Sequence, residues 1–167
     1  MREDSEAILV TGGAGFIGAN FIREWFAHGH GSLINLDALT YAGNPETLVE
    51  LQTDPRYHFY EGDINDRALL EHILKRHTPR AVVHFAAESH NDNSLDNPEP
   101  FLHTNLVGTF TLLEAARRYG TRFHHISTDE VYGDLALDDP GRFTEASPYN
   151  PSSPYSSTKA GSDLLVR

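Results

Sequence analysis

The stretch Ile8-Leu9-Val10-Thr11-Gly12-Gly13-Ala14-Gly15-Phe16-Ile17-Gly18 decides the fold. Its first four residues make a short, mostly β-branched apolar run of the kind that forms a buried strand. Glycines stand at 12, 15 and 18, and Phe16, Ile17, Phe21 and Ile22 then open a helical pattern. A strand, a glycine turn and a helix in direct succession build an anion cradle. The glycines allow a tight turn, close approach of the backbone to a pyrophosphate and close packing of helix on strand, and the helix N-terminus presents free N–H groups and a positive dipole end. The spacing is G-x-x-G-x-x-G rather than G-x-G-x-x-G. Taken alone, the glycines also fit a plain tight turn, so the residues beyond them must discriminate.

The first discriminating residue is Asp37. A second apolar strand is predicted over 32–36, and Asp37 stands at its C-terminal end, nineteen positions after Gly18. An acid about 20 residues beyond such a glycine turn hydrogen-bonds the adenosine ribose of a dinucleotide. A carboxylate there repels a 2′-phosphate, which favours NAD over NADP.

Beyond Asp37 the pattern repeats. Strands are predicted over 57–61, 81–85 and 122–127. Helices are predicted over 16–28, 67–77 (with Asp66 as N-cap) and 98–119, with a short one near 46–53. Asn91 to Glu99 reads as a polar turn, 133–154 as a long Gly/Pro/Asp/Ser-rich loop of the sort that covers substrates, and a last helix begins at Ser152-Ser153-Pro154. Strands alternating with helices imply right-handed crossovers and an α/β fold, a doubly wound parallel sheet of the Rossmann type, within one domain spanning 1–167.

Composition narrows the function. The formal net charge is −11, and the longest basic runs are Lys75-Arg76-His77 and Arg117-Arg118, so nucleic acid is not an expected partner. There is no cysteine, hence no disulfide or thiolate chemistry. No apolar run is long enough to span a membrane, and Met1 to Glu6 is charged and lacks the apolar core of a signal peptide. The cytoplasm is the expected compartment. His28 and His30 have no further ligands near them in sequence, so a solvated helix end is expected there and no metal.

Ligands of such sheets bind outside the C-terminal strand ends. The fourth predicted strand runs into Phe85-Ala86-Ala87-Glu88-Ser89, and the fifth into Ser127-Thr128-Asp129-Glu130. The last helix carries Tyr155 and, four residues on and therefore on the same face, Lys159. An ammonium beside a phenol favours the phenolate, and with a cationic nicotinamide it would bring the pKa from about 10 closer to working pH. The pair therefore reads as a general base with its supporting cation.

Thr11 to Gly18 together with Tyr155 and Lys159 resembles the extended short-chain dehydrogenase/reductase family, the NAD-dependent epimerases and dehydratases, most of which act on nucleotide sugars. Three further stretches resemble the 4,6-dehydratases within it: Leu36-Asp37-Ala38-Leu39-Thr40-Tyr41-Ala42-Gly43, Ala86-Ala87-Glu88-Ser89-His90 and Ser127-Thr128-Asp129-Glu130-Val131-Tyr132-Gly133. The resemblance implies NAD as cofactor and a nucleotide sugar as substrate. Phe16 and Ile17, with Gly12, Gly15 and Gly18, would line the pyrophosphate. Asp37, Ala38, Leu39 and Thr40 would hold the adenosine ribose, and Asp63 and Ile64 the adenine. Phe85, Ala86, Ala87, Glu88, Ser89 and Thr104 would lie along the cofactor, and Ser89 and Thr128 would touch the sugar. Tyr155 would be the base at the sugar 4-hydroxyl, with Lys159 on the nicotinamide ribose. Glu130 would remove the C5 proton and Asp129 would protonate the departing 6-hydroxyl, a pair that separates a dehydratase from an epimerase.

The sequence departs from the family pattern after Ser89-His90, where an apolar and often a basic residue are usual and Asn91-Asp92-Asn93 stands instead. The resemblance also implies two further strands, a C-terminal substrate domain and a homodimer built on the helices around Phe101–Tyr119 and Tyr155. The chain is accordingly read as the N-terminal part of a longer enzyme, stopping within the helix of Tyr155 and Lys159. The alternatives are another nucleotide-sugar epimerase or dehydratase, or a non-catalytic NAD-binding module.

Overall fold

The computed structural model describes residues 7–138 and 140–167. The charged stretch 1–6, read above as lacking a leader, lies outside the described residues. Five strands, β1 (Ile8–Thr11), β2 (Leu33–Asp37), β3 (Tyr57–Glu61), β4 (Ala81–His84) and β5 (Arg122–His125), form one sheet in the order β3-β2-β1-β4-β5. Every pairing is parallel. The order reverses direction between β1 and β4, and this switch point is where a doubly wound sheet binds its ligand.

Alternation along the strands feeds two apolar faces. Leu9, Ile34, Leu36 and Val82 pack with Leu70, Ile73 and Leu74 of α2 (Arg67–His77) and with Leu112 and Ala116 of the helix described below. Ile8, Val10 and Leu33 pack on the other face with Ala19 and Ile22 of α1 (Phe16–Ala27) and with Leu48 of a 3-10 segment, Pro45–Leu51. Local chemistry sets the helix ends. The Asp66 carboxylate accepts the Ala68 and Leu69 N–H groups, and Lys75 and Arg76 close α2 at its negative dipole end. No helix among the described residues is long and apolar enough to cross a membrane.

The described residues cluster into two compact units. One comprises 7–86 with 111–126 and holds the whole sheet; the other comprises 87–110 with 127–167. In the second unit, the segment after His90 is not a turn but a short helix, α3 (Asn91–Asp96), because the buried Ser94 hydroxyl donates to the Asn91 carbonyl across 2.6 Å. The helix expected over 98–119 is not uniform either. It runs as α4 (Glu99–Phe101), a π segment (Leu102–Gly108) and α5 (Thr109–Tyr119). A π turn adds a residue and shifts the register of everything beyond it. The apolar residues of the run therefore do not share one buried face. Phe101 and Ala116 are buried, whereas Leu102 and Phe110 are exposed and Leu112 is buried in their stead. The last helix, α6 (Pro154–Val166), starts at Ser153 with a reciprocal Ser153–Ser156 capping box. Gly133 to Ser152 holds no helix or strand among its described residues.

One histidine links fold to pH. The Tyr60 hydroxyl meets His77 Nε2 at 2.8 Å, and the His58 ring lies 4.8 Å away. Burial, then the charges of His58, Arg76 and His72, hold His77 at about 4, below the usual 6.5. The folded state thus keeps His77 neutral while the unfolded chain takes up a proton below 6.5. Stability is full above that pH and falls as pH drops towards 4. Urea unfolding across this window should show the decline, and His77→Gln, which has no ionisable ring, should flatten it.

Candidate functional site

The first unit carries the candidate cradle. Gly12 has a left-handed backbone, φ +73, and a Cβ placed on it would sit 2.5 Å from Ala86 N and 2.7 Å from Ala86 Cα. A Cβ on Gly18 would strike the Gly12 carbonyl oxygen. The β1 and β4 exits therefore touch backbone to backbone, a packing that only glycine at 12 permits. Thr11 reinforces it: its hydroxyl meets His84 Nδ1 at 2.7 Å and accepts the Ala86 N–H at 3.4 Å. Phe16 and Ile17 project from the first turn of α1, 85 % and 61 % exposed, which leaves the helix N-terminus open.

Asp37 is buried, and its two carboxylate oxygens accept the Ala14 N–H at 2.8 Å and the Leu39 N–H at 2.9 Å. The first bond ties the glycine turn to the end of β2. The second supports Leu39 in a left-handed conformation, φ 49, which a bulky residue rarely adopts. A carboxylate oxygen takes two bonds, so each retains a lone pair for a ribose hydroxyl. Ala38 and Thr40 are exposed beside it. Asp63 is exposed and caps its own turn through the Asn65 N–H, 2.7 Å away. Ile64 is 4 % exposed and belongs to the core, so its backbone rather than its side chain is what a base could meet. The Phe85 ring likewise packs inward, 5.4 Å from Phe21.

The second unit carries the candidate acid–base groups. Tyr155 and Lys159 are both buried on α6. Burial pushes the Tyr155 phenol up, Glu130 and Asp129 add to the rise, and only the hydrogen bond with the Thr128 hydroxyl opposes it. Lys159 is brought down to about 8 by burial, against the pull of Asp163. Asp129 is exposed and Glu130 half-buried. Burial, then the neighbouring Asp129 and Asp134 charges, raise the Glu130 carboxyl, so it binds a proton more tightly than an ordinary glutamate. Asn91, from the segment that departs from the family pattern, donates to Glu130 Oε2 at 3.3 Å.

Asn105, which the sequence reading missed beside the half-buried Thr104, organises this unit. Its Oδ1 accepts the Glu88 N–H and its Nδ2 donates to the Glu88 carbonyl, both at 2.9 Å. Nδ2 also donates to Thr158 Oγ1 at 3.1 Å, and the Asn105 carbonyl accepts the Ser162 hydroxyl at 2.6 Å. The strand exit Ala87-Glu88 is thereby fixed by a side chain that mimics a strand partner, while Ser89 remains exposed. The only available signal was a polar residue amid the apolar stripe of a predicted helix. His28 and His30 gather no further ligands: among the described residues no group of three His, Cys, Asp or Glu side chains could hold a metal.

A parallel doubly wound sheet with a glycine turn at its switch point and an acid ending β2 defines a Rossmann-type nucleotide-binding fold. The chain belongs to the family described as GDP-mannose 4,6 dehydratase, whose model matches residues 9–167. It is 62 % identical over 161 residues to the dTDP-glucose 4,6-dehydratase of Mycobacterium tuberculosis strain H37Rv, covering 96 % of this chain and 47 % of that protein. The crystal structure of the Streptomyces venezuelae dTDP-glucose 4,6-dehydratase with NAD and TYD bound superposes with a TM-score of 0.89 at 48 % identity, over 95 % of this chain and 50 % of that one. The UDP-glucose 4-epimerase of Thermotoga maritima, solved with UDP-glucose, gives 0.84 at 33 % identity, over 96 % and 50 %. The chain spans about half the length of the relatives it matches.

The cradle sets a stability test. Gly12→Ala forces a Cβ into a left-handed residue, costing about 1–2 kcal/mol before any collision with Ala86 is counted. The urea midpoint should fall accordingly, and further than for Gly29→Ala, whose added Cβ meets nothing within 4 Å at a similar φ of +70.

Proposed function

We propose that this chain holds NAD, and that the intact protein converts dTDP-glucose to dTDP-4-keto-6-deoxy-glucose and water. The observation that carries the reading is the Thr128-Asp129-Glu130 turn in one unit with Tyr155 and Lys159, in a chain 62 % identical to a dTDP-glucose 4,6-dehydratase. The cradle fits a dinucleotide. Gly12 leaves no side chain over the β1 exit, the start of α1 is open, and Asp37 keeps acceptor capacity for ribose hydroxyls while repelling a 2′-phosphate. NAD, when bound, supplies a hydride acceptor for C4 of the sugar and a hydride donor for C6.

This chain's residues handle the protons. Tyr155 takes the proton of the 4-hydroxyl, with the Thr128 hydroxyl stabilising its phenolate. Burial sets the phenol high, so a neighbouring positive charge must bring it down; Lys159 would supply one and would hold the ribose of a bound nicotinamide. The 4-ketone acidifies the C5 proton, and Glu130, its basicity raised by burial, removes it. Asp129 gives a proton to the departing 6-hydroxyl, which leaves as water, and after hydride reaches C6 Glu130 returns its proton to C5.

The exposed apolar residues Leu102, Val107 and Phe110 on the 99–119 helical run, and Leu164 and Leu165 on α6, support a second copy of the protein as partner, hence a homodimer. A cytoplasmic location follows from a soluble nucleotide-sugar substrate drawn from the same pool as NAD.

Incubation of the intact protein with dTDP-glucose and NAD should yield the 4-keto-6-deoxy sugar. A C4 epimer with no keto product would identify an epimerase instead. Glu130→Gln should lower turnover about 100-fold or more while NAD stays bound, and unchanged turnover would remove Glu130 from the base role.

A further inference from the structure

Positions 155, 159 and 163 of α6, and 167 just past its end, lie four apart and share one stripe of the helical surface. They hold Tyr155, Lys159, Asp163 and Arg167. The first two serve the acid–base chemistry proposed above, and Asp163 has no part in it so far. Its Oδ2 accepts two hydroxyl hydrogen bonds, from Ser127 at 2.6 Å and from Tyr149 at 2.9 Å. Ser127 directly precedes Thr128-Asp129-Glu130. Tyr149 belongs to the long segment before α6. Its ring packs edge-on against Tyr132 at 5.5 Å, and the next residue, Asn150, donates its N–H to the Val131 carbonyl at 3.0 Å. Arg167 closes the stripe, with its guanidinium 5.0 Å over the Tyr149 ring and Nη2 donating to the Tyr149 hydroxyl at 3.2 Å.

We propose that Asp163 is a positioning residue, whose carboxylate fastens Ser127 and Tyr149 to α6 and so sets where Thr128, Asp129 and Glu130 stand relative to Tyr155 and Lys159. Hydroxyl bonds to a carboxylate are short and about twice as strong as neutral ones, and both donors here converge on one oxygen. Burial, followed by the bond to Asp163, pushes the Tyr149 phenol up, which keeps it a donor. The same carboxylate is the charge that favours the ammonium form of Lys159 against burial. One side chain thus fixes the segment bearing the two acids and biases the cation one helical turn away.

The roles of residues 128–130, 155 and 159 rest on the dehydratase reading, so the test has one arm that does not. In the intact protein without substrate, Asp163→Leu should speed amide hydrogen exchange of residues 127–132 and 149–151 by about tenfold or more, and Asp163→Asn, which retains one acceptor, by less. In turnover, Asp163→Asn should lower kcat about tenfold with KM little changed. It should also move the alkaline limb of the pH–rate profile to lower pH, because Lys159 then loses its proton sooner. Ser127→Ala and Tyr149→Phe should each reproduce part of the kcat loss and add little to Asp163→Leu. Unaltered exchange at 127–132 in Asp163→Leu would overturn the proposal, as would a wild-type pH profile in Asp163→Asn or fully multiplicative losses. Should Asp163→Leu not fold, Ser127→Ala and Tyr149→Phe carry the exchange measurement with the same two outcomes. Should the wild type make no keto sugar, the dehydratase reading fails and exchange alone decides.

Discussion

Backbone against backbone, Gly12 and Ala86 meet where no side chain fits, and the cradle depends on that contact. Strands β1 and β4 are neighbours, so the glycine turn after one and the strand exit after the other emerge side by side. The Thr11 hydroxyl holds the two together, with His84 on one side and the Ala86 amide on the other. Because the sheet's two faces are both sealed by apolar side chains, its strand ends are the places where polar backbone can remain available to a ligand.

The second unit solves a different problem, the placement of charged and hydroxylic groups on segments with little regular structure of their own. It does so with side chains that stand in for backbone. Asn105 pairs with both polar groups of Glu88 and ties them to Thr158, and its own carbonyl takes the Ser162 hydroxyl. Ser94 receives the Tyr155 N–H at 3.3 Å. Buried polar networks of this kind stabilise only when every member is satisfied, which explains why α6 carries so many small hydroxyl residues on its buried face.

Much of the fold was legible because it is written in local periods. The apolar run 8–11, the glycines that follow, the Asp66 cap and the alternating 57–61 strand each leave a signature within a few residues. The π segment does not: it replaces one hydrogen-bond ladder with another over residues that suit either, and so shifts which residues beyond it, Leu112 among them, are buried. In the site, residue types at strand ends could be read, but their protonation could not. Tyr155 is governed by burial and by carboxylates 25 and 26 positions away, not by the lysine one turn on. Asp163 was silent for the same reason, since its partners lie 36 and 14 positions off.

The double duty of Asp37 bears on how such a domain can evolve. In the dinucleotide reading proposed above its carboxylate would meet the adenosine ribose, yet it also ties the Ala14 and Leu39 amides into the loop. Exchanging it for a residue that welcomes a 2′-phosphate would leave two backbone donors in search of acceptors, at roughly 1–3 kcal/mol each where they stay buried. On that reading cofactor preference and loop order would be inherited together. A lineage could change the one only after some other residue had taken over the other, which makes the preference conservative by construction rather than by selection on cofactor choice alone.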